Sequence, residues 1–419
     1  MRRQSLKNGN RPALWLFISI IVIYCILVFG VMPDEAPFLK YPLLAKQYIS
    51  GEMDLNRIPD LSPLYFYFNV LVVSVFKSIP VSVTIIRLIQ ILIIGLTALY
   101  FFRIYQRHYS LRLSMIGIIL FASSFSIVLY TKIIEPEPFV LFFLSGFLFY
   151  LSQKRSRKCL FYAGIFFALG VLTRSNFLPL ALVIPFFLWI SDRYRKLRFV
   201  FYKFLFFLLP VLLAIGFLII RNYSIRGEFS PYAADPGYVL FEGNNPISSG
   251  QSATYPTIVY ELTGEFPDRP DFQHQVYKMV AEKVQGKPLS VIESNDFWGQ
   301  KAKNYIADYP LRFISLLSQK IHYFFHHYRR HDLNNAYRYD RFLHRKFPVQ
   351  IPFWIISVLA IIGIFLSRRE WRGQFMFLLI FFMQFLVLTL IYVSERQRIA
   401  ILPFFIFFAL YAIRYFYYN

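Results

Sequence analysis

Long apolar runs recur along this 419-residue chain, and several approach the length that a helix needs to cross a bilayer. Hydrophobic residues make up 57% of the sequence, and the mean hydropathy is +0.47. The first run, residues 13–32, contains no charged side chain. A chain of this composition is predicted to be a polytopic α-helical membrane protein rather than a large soluble one.

The basic residues form short clusters between the apolar runs, which decides how the formal net charge of +22 is interpreted. Such clusters are typical of cytoplasmic loops beside anionic lipid head groups, so they favour membrane lipids over nucleic acid as partners. By the same rule the basic N-terminal tail is cytoplasmic. The clusters are Arg103, Arg107 and Arg112; Lys154, Arg155, Arg157 and Lys158; Arg193, Arg195, Lys196 and Arg198; and Arg368, Arg369 and Arg372.

Alternation of apolar runs and basic clusters predicts about ten transmembrane helices, with both ends of the chain in the cytoplasm. The predicted spans running outward are residues 13–32, 113–130, 160–172, 201–220 and 375–392. Those running inward are residues 83–102, 138–151, 177–190, 351–366 and 399–416. Residues 64–76 are too short for a span, and residues 37–50 have aromatic side chains on one helical face, so both are predicted to lie on the outer leaflet.

The spans divide the chain into three parts. Residues 1–220 form an N-terminal transmembrane module, in which residues 33–82 are the first outer loop. Residues 221–350 are the one long polar region, rich in Gly and Pro at first and helical in pattern later, and they predict an extracytoplasmic domain of mixed structure. Residues 351–419 return to the membrane as C-terminal helices.

Two acidic pairs stand at predicted outer turns. Asp34 and Glu35 follow the first span directly, where carboxylates beside hydrocarbon are costly and are retained for function. A simpler role for Asp34 is to N-cap a helix that begins at Ala36. Glu135 and Glu137 lie in the next outward turn, where they are candidates to orient a substrate or bind a divalent ion, or only to form a proline-bounded turn.

Arginines also stand on the predicted outer side, against the positive-inside trend. Arg396 and Arg398 open the last span, and Arg174 lies in a short outer turn. Guanidinium groups there are suited to bidentate contact with a phosphate, and Lys132 is a further outer-turn candidate for the same contact. The alternative is that these side chains extend to lipid phosphates without taking part in a site.

The ordered set of these motifs resembles the GT-C superfamily of integral-membrane glycosyltransferases. The resemblance is to the bacterial branch similar to protein O-mannosyltransferases and aminoarabinose transferases, which use polyprenyl-phosphate sugars. One departure is that Ser62-Pro63 stands where members have a His-Pro-Pro or Lys signature, so no phosphate-binding lysine is carried over from that segment. The anchors are Asp34-Glu35-Ala36, Ser62-Pro63-Leu64-Tyr65, Thr173-Arg174, Arg221-Asn222-Tyr223 with Gly243-Asn244-Asn245, and Arg396-Gln397-Arg398 with Leu402-Pro403.

The resemblance implies a GT-C fold and an inverting hexosyl- or pentosyltransferase of the plasma (inner) membrane, active on the extracytoplasmic side. The donor would be a polyprenyl-phosphate monosaccharide, and the acceptor a lipid, glycan or protein. Asp34 matches the position of the catalytic base, with Glu35 as its partner. No cofactor is implied, although a divalent metal is possible. The implied substrate-binding residues are Glu135, Glu137, Arg174, Arg396 and Arg398.

Two other functions are compatible with the composition. One is an oligosaccharide ligase or polymerase with a pyrophosphate-linked donor, for which an Asp-Glu motif at a membrane exit is not expected. The other is a transporter or flippase, which would need two matching halves or charged groups inside its spans. The sequence shows neither an internal repeat nor acidic residues in the middle of a predicted span.

Overall fold

A computed structural model describes residues 10–34, 39–153, 156–191, 197–231, 236–250, 260, 262, 264, 273–326, 334–347 and 351–418. Within these ranges the protein is helical, as the apolar pattern predicts. The helices of the N-terminal part are α1 (Asn10–Cys25, continued by a π-helical turn Ile26–Val31), α2 (Lys40–Ile49), α3 (Pro63–Phe76), α4 (Ile79–Tyr105), α5 (Leu111–Ala122), α6 (Phe125–Lys132), α7 (Glu137–Leu151), α8 (Arg157–Thr173), α9 (Val183–Ser191, after a 3-10 helix Ser175–Leu182) and α10 (Leu197–Arg226).

The rest of the described chain is also built from helices. These are α11 (Pro236–Gly243), α12 (Gln273–Gln285), α13 (Val291–Asp308), α14 (Pro310–Phe325), α15 (Asn334–Lys346), α16 (Phe353–Leu366), α17 (Trp371–Leu390), α18 (Glu395–Arg398) and α19 (Leu402–Tyr418). A 3-10 turn, Ser367–Glu370, joins α16 to α17 without a break in the helical run. For the polar region, residues 221–350, the sequence predicts mixed secondary structure. Its described residues form helices and turns and include no β-strand.

Four helical stretches in the described ranges are long and apolar enough to cross a membrane, and α5 with α6 makes a fifth if the bent pair is one span. The four are Arg11–Val31, Ile79–Tyr105, Val200–Arg226 and Phe353–Leu390. Other predicted spans coincide with apolar helices of fewer than 18 residues, such as α7 and α19. A membrane protein is therefore supported, and the number of ten spans stays a prediction.

The helices pack as a bundle in which neighbours in sequence are often neighbours in space. Helix α4 packs against α1 and α7, and α8 lies between α7 and α10. Helix α19 packs against α16 and α5 and is buried on every side from Leu402 to Ala412, which is typical of a central helix. Gly363 lets α16 approach α19 closely, because a Cβ at this position would overlap the carbonyl oxygen of Phe408.

The two predicted surface segments of the first loop are helices. Residues 40–49 and 63–76 form α2 and α3, which pack together through edge-to-face rings of Tyr41 and Tyr65, with centroids 4.8 Å apart. Tyr48 and Phe66 form a second edge-to-face pair at 5.6 Å. Such pairs add about 0.5–1.5 kcal/mol beyond area burial. The first loop is thus folded, while its position on a membrane surface stays a prediction.

The polar region has a small core of its own around Trp298. The rings of Tyr238 and Tyr277 stack with centroids 4.9 Å apart, and Trp298 packs against Tyr277 and Phe241. Buried Lys320 connects this region to the end of α17: its Nζ donates to Asn244 Oδ1 at 2.8 Å, and Asn244 Nδ2 donates to the Leu390 carbonyl at 2.8 Å.

We expect Gly363→Ala to destabilise the protein by about 1–3 kcal/mol, because the added methyl must separate α16 from α19. Gly216→Ala in α10 is the matched control, since a Cβ there meets open space and alanine should gain roughly 0.5–1 kcal/mol in a helix. Thermal unfolding of the purified protein in detergent measures both. Equal melting temperatures for the two variants would contradict the close packing of α16 and α19.

Candidate active site

Side chains from α4 hold the segment that follows the break in the helix pair α5 and α6. These two helices meet at 51°, and α6 ends at Lys132 with carbonyl groups that have no partner within the helix. Gln90 Nε2 donates to the carbonyls of Thr131 at 3.2 Å and Ile133 at 3.0 Å, and Arg87 Nε donates to that of Lys132 at 3.1 Å. Both donors are buried, and together they hold the backbone of residues 130–133 in place.

Asp34 is bound at this segment by two cations. Its Oδ1 accepts hydrogen bonds from Arg87 Nη1 and Lys132 Nζ, both at 2.8 Å. Lys132 also donates to the carbonyl of Val28 at 2.8 Å, at the end of the first helix. The hydrogen bond from Lys132, reinforced by the charge of Arg87, lowers the pKa of Asp34 below its usual value. The carboxylate is therefore ionised at neutral pH.

The second oxygen of Asp34 is available. Both cations contact Oδ1, and no hydrogen bond from any residue in the described ranges reaches Oδ2. The side chain is 73% exposed, whereas those of Arg87 and Lys132 are 4% and 1% exposed. Buried cations thus fix one oxygen of the carboxylate and leave the other open to a substrate.

Asp34 does not cap helix α2, and its capping of a helix that begins at Ala36 stays a prediction. Helix α2 begins at Lys40, and its N-cap is Leu39. Ala36, where the sequence predicts a helix to begin, lies outside the described residues, and so does Glu35. The predicted partnership between Asp34 and Glu35 therefore stays a prediction.

Glu135 and Glu137 are buried beneath two arginines from distant parts of the chain. Arg396 donates from Nε to Glu137 Oε1 at 2.6 Å and from Nη2 to Glu135 Oε2 at 3.1 Å. Arg174 pairs with the same Oε1 of Glu137. Burial raises the pKa of Glu135, an effect that the charge of Arg396 opposes. The predicted acidic pair and two of the predicted arginines thus form one site.

Arg174 and Arg396 form the solvent-exposed side of this site. Their side chains are 19–20% exposed, whereas those of the two glutamates are 2–3% exposed. Arg174 uses one nitrogen for Glu137, and no other acceptor in the described ranges takes its remaining N–H groups. We call two neighbouring ion-pair networks the charged cluster: Asp34 with Arg87 and Lys132, and Glu135 and Glu137 with Arg174 and Arg396. The chain links them between Lys132 and Glu135, and the described members are four cations and three carboxylates.

Arg398 does not share the contacts of Arg396. Its Nε donates to Glu395 Oε2 at 2.9 Å, its Nη1 donates to the carbonyl of His326 at 2.6 Å, and its guanidinium lies 4.6 Å from the ring centroid of Phe353. Positions i and i+2 of a helix do not share a face, and both arginines lie in α18. These contacts anchor α18, and a role of Arg398 in binding substrate stays a prediction.

Sequence reasoning overlooked Arg87 and Gln90. Both lie inside the predicted span 83–102, and neither is acidic. The available signal was the cost of an arginine among apolar residues, which marks a functional site unless a partner explains it. Two anchors of the resemblance also meet in space, because Ser62 Oγ donates to the Thr173 carbonyl at 2.6 Å, next to Arg174.

No metal site is evident in the described ranges, which contain no group of three His, Cys, Asp or Glu side chains arranged to hold an ion. The carboxylates of the charged cluster instead contact arginine and lysine. Their negative charge is balanced by the protein itself. The expectation that the reaction needs no cofactor, with a divalent ion as the alternative, stays a prediction.

We expect Arg396→Ala to destabilise the protein by roughly 3–5 kcal/mol, because it removes the paired arginine of buried Glu135 and leaves Glu137 with Arg174 alone. Combining it with Glu135→Gln and Glu137→Gln should restore most of that loss. Arg414→Ala is the control, since its pair with Glu370 is 3.7 Å long and exposed, and its loss should cost at most about 1 kcal/mol. Thermal unfolding in detergent is the measurement. If Arg396→Ala lowers the melting temperature no more than Arg414→Ala does, the buried ion pairs of Arg396 do not stabilise the protein to this extent.

Comparison with known proteins gives one family match. Residues 60–220 match the model of the dolichyl-phosphate-mannose-protein mannosyltransferase family. The matched part, less than half of the chain, contains Arg87, Lys132, Glu135, Glu137 and Arg174, whereas Asp34 and Arg396 lie outside it. Searches of curated proteins and of solved structures return no match. The family match, together with the apolar helices, supports a membrane glycosyltransferase of the GT-C type.

Proposed function

We propose that this protein transfers a monosaccharide from a polyprenyl-phosphate donor to a lipid, glycan or protein acceptor, with inversion at the sugar. The observation that carries the proposal is the Asp34 carboxylate, which is anchored through Oδ1 by two buried cations and open at Oδ2 beside the charged cluster. The similarity of residues 60–220 to mannosyltransferases supports the same chemistry.

In this proposal Asp34 is the general base. As the acceptor oxygen or nitrogen bonds to the anomeric carbon, Oδ2 takes its proton, and the bond from that carbon to the phosphate oxygen breaks. The electron pair leaves with the phosphate. Because attack comes from the face opposite the leaving group, the configuration inverts. Arg87 and Lys132 keep Asp34 ionised and fix its orientation, which makes them positioning residues.

Arg174 and Arg396 are the candidates to bind the donor phosphate. Both guanidinium groups are partly exposed above buried carboxylates, and the described cluster has more cations than anions. A guanidinium fork matches two phosphate oxygens, and its charge stabilises the departing group. Glu137 Oε2 is buried and has no hydrogen-bond partner among the described residues, which leaves one unpaired acceptor beneath the two arginines.

The membrane location completes the proposal. Basic clusters between the apolar runs favour a plasma membrane protein whose Asp34 end faces outward. The donor would reach that side with its sugar already attached to the lipid. We expect the reaction to need no resident cofactor, because the charges around the phosphate come from arginine and lysine.

We expect Asp34→Asn to reduce transfer on the order of a hundredfold or more, since the amide cannot take the acceptor proton. The assay follows labelled sugar from a polyprenyl-phosphate donor into acceptors of a membrane extract. Asp308→Asn, at the exposed end of α13, is the control and should keep wild-type activity. Equal melting temperatures exclude a folding defect. Activity of Asp34→Asn within about threefold of wild type would remove Asp34 from the role of base.

Lys132→Met should move the acidic limb of the pH–activity profile to higher pH. The hydrogen bond from Lys132 lowers the pKa of Asp34, so its loss raises that pKa and the base becomes protonated at a higher pH. On acidification the variant therefore loses activity at a higher pH than the wild-type protein does, and it recovers as the pH rises. Lys303→Met, on the exposed face of α13, is the control. An acidic limb at its wild-type position would contradict the assigned role of Lys132.

A further inference from the structure

A polar cavity that shares no lining residue with the charged cluster lies where the first loop meets the polar region. Its volume is about 320 Å³, within the range of about 300–1,000 Å³ that small-molecule sites occupy. The 3-10 turn Leu55–Asp60 of the first loop, the end of α10 and helices α11, α12 and α13 contribute to its walls. The residues that line it are Asp54, Asn56, Arg226, Glu228, Tyr238, Gln275, Tyr277, Lys278, Val291, Ser294, Asn295 and Trp298.

The lining has the chemistry of a site for a neutral polyhydroxyl compound. Three aromatic residues, Tyr238, Tyr277 and Trp298, pack together in its wall and are at most 7% exposed, so they give the cavity a rigid backing rather than an open surface. The remaining wall is largely polar and includes three side-chain amides. Two acidic and two basic residues balance in charge, so the cavity does not favour an anion or a cation. Sugar hydroxyl groups both donate and accept hydrogen bonds, and the amide, carboxylate and hydroxyl groups of this lining offer partners for both.

Several polar side chains are held in place and still have groups to offer. Asp54 accepts from the backbone N–H of Asn56 at 3.0 Å, Glu228 Oε1 accepts from that of Val291 at 2.8 Å, and Asn295 Oδ1 accepts from that of Gly237 at 2.6 Å. Across the described ranges, no hydrogen bond uses Glu228 Oε2, Asn295 Nδ2 or the side-chain amide of Asn56. Fixed side chains with unused donors and acceptors reduce the entropy lost when a ligand binds.

The first loop connects this cavity to the charged cluster. Asp54 and Asn56 come from the segment directly after α2, whereas Lys40 and Tyr41 at the start of α2 interact electrostatically with Glu135. Gln275 Nε2 donates to Asp54 Oδ2 at 3.3 Å, and Arg226 binds the carbonyl of Asn56 with Nε at 3.0 Å, so the loop is attached to the polar region around the cavity.

We propose that this cavity binds a non-reacting saccharide unit of the acceptor. The inference rests on the proposed function. The acceptor is favoured over the donor because the donor sugar must lie at Asp34 with its lipid in the membrane, whereas the cavity is formed by polar residues of the loop and the domain. The acceptor is thereby a glycan or a glycolipid head group, held by a part that does not react.

Saturation-transfer difference NMR on the full-length protein in nanodiscs tests binding without any donor. The probes are mannobiose, chitobiose and maltotriose, with glycerol as the reference polyol. Gln275→Trp and Asn56→Trp place a bulky ring in the cavity, while Lys283→Trp puts the same ring on an exposed position of α12. We expect at least one saccharide to give a signal with wild type and Lys283→Trp, weakened on the order of tenfold in both cavity variants. Melting temperatures identify misfolded protein.

Two results would overturn the site: no signal from any saccharide with the wild-type protein, or equal signals from wild type and both folded cavity variants. A transfer assay separates this proposal from the first. With an accepted substrate, the cavity variants should raise its KM with little change in kcat, because they remove binding that is common to ground and transition states. Saccharide binding by a protein that transfers no sugar would instead disprove the enzyme assignment and leave the cavity standing.

Discussion

The Glu137 carboxylate joins three distant parts of the chain. It stands at the start of α7 and pairs through one oxygen with Arg174, which follows α8, and with Arg396 of α18. The carboxylate is almost completely buried, so its position is fixed, and it fixes the guanidinium groups of both arginines. Removing one partner of such a pair costs far more than an exposed pair would. The bridge thereby sets the position of the C-terminal helices relative to the part that resembles mannosyltransferases.

The end of α6 gives the site its second fixed point. Carbonyl groups at a helix terminus need donors, and here Arg87 and Gln90 of α4 supply them. The same Arg87 reaches Asp34, so one buried side chain satisfies the backbone and orients the carboxylate. The same contacts therefore meet two requirements. They satisfy polar groups in an apolar bundle, and they orient the proposed base.

Much of the helical architecture follows from the sequence because apolar runs report burial or lipid contact directly. The first long helix and α4 fall where the hydropathy predicts them, and the helix at residues 63–76 matches the apolar stretch 64–76. The bend between α5 and α6 was not predicted, since an apolar run carries no information on where its direction changes.

The site was only partly predictable for a related reason. Glu135, Glu137, Arg174 and Arg396 were recognisable because charge is conspicuous beside apolar runs, and the structure brings all four together. Proximity in sequence suggests that Arg398 acts together with Arg396. In a helix, however, side chains two positions apart point to different faces, and the guanidinium of Arg398 binds Glu395 instead. The charge of Arg87 inside an apolar run marks it as a candidate, but its partners depend on which helix faces the end of α6, a tertiary contact that no local pattern encodes.

The ion pairs between Arg396 and the two glutamates can form only late in synthesis. Arg396 follows Glu135 by 261 residues, so both glutamates leave the ribosome long before this arginine exists. Arg174 can reach Glu137 early, whereas Glu135 must stay protonated or hydrated until α18 arrives, because an unpaired carboxylate at the membrane is costly. Arrival of Arg396 then closes the charged cluster. A nascent chain halted before α18 therefore retains an exposed acidic defect, a feature that distinguishes it from the finished protein for the membrane quality-control machinery.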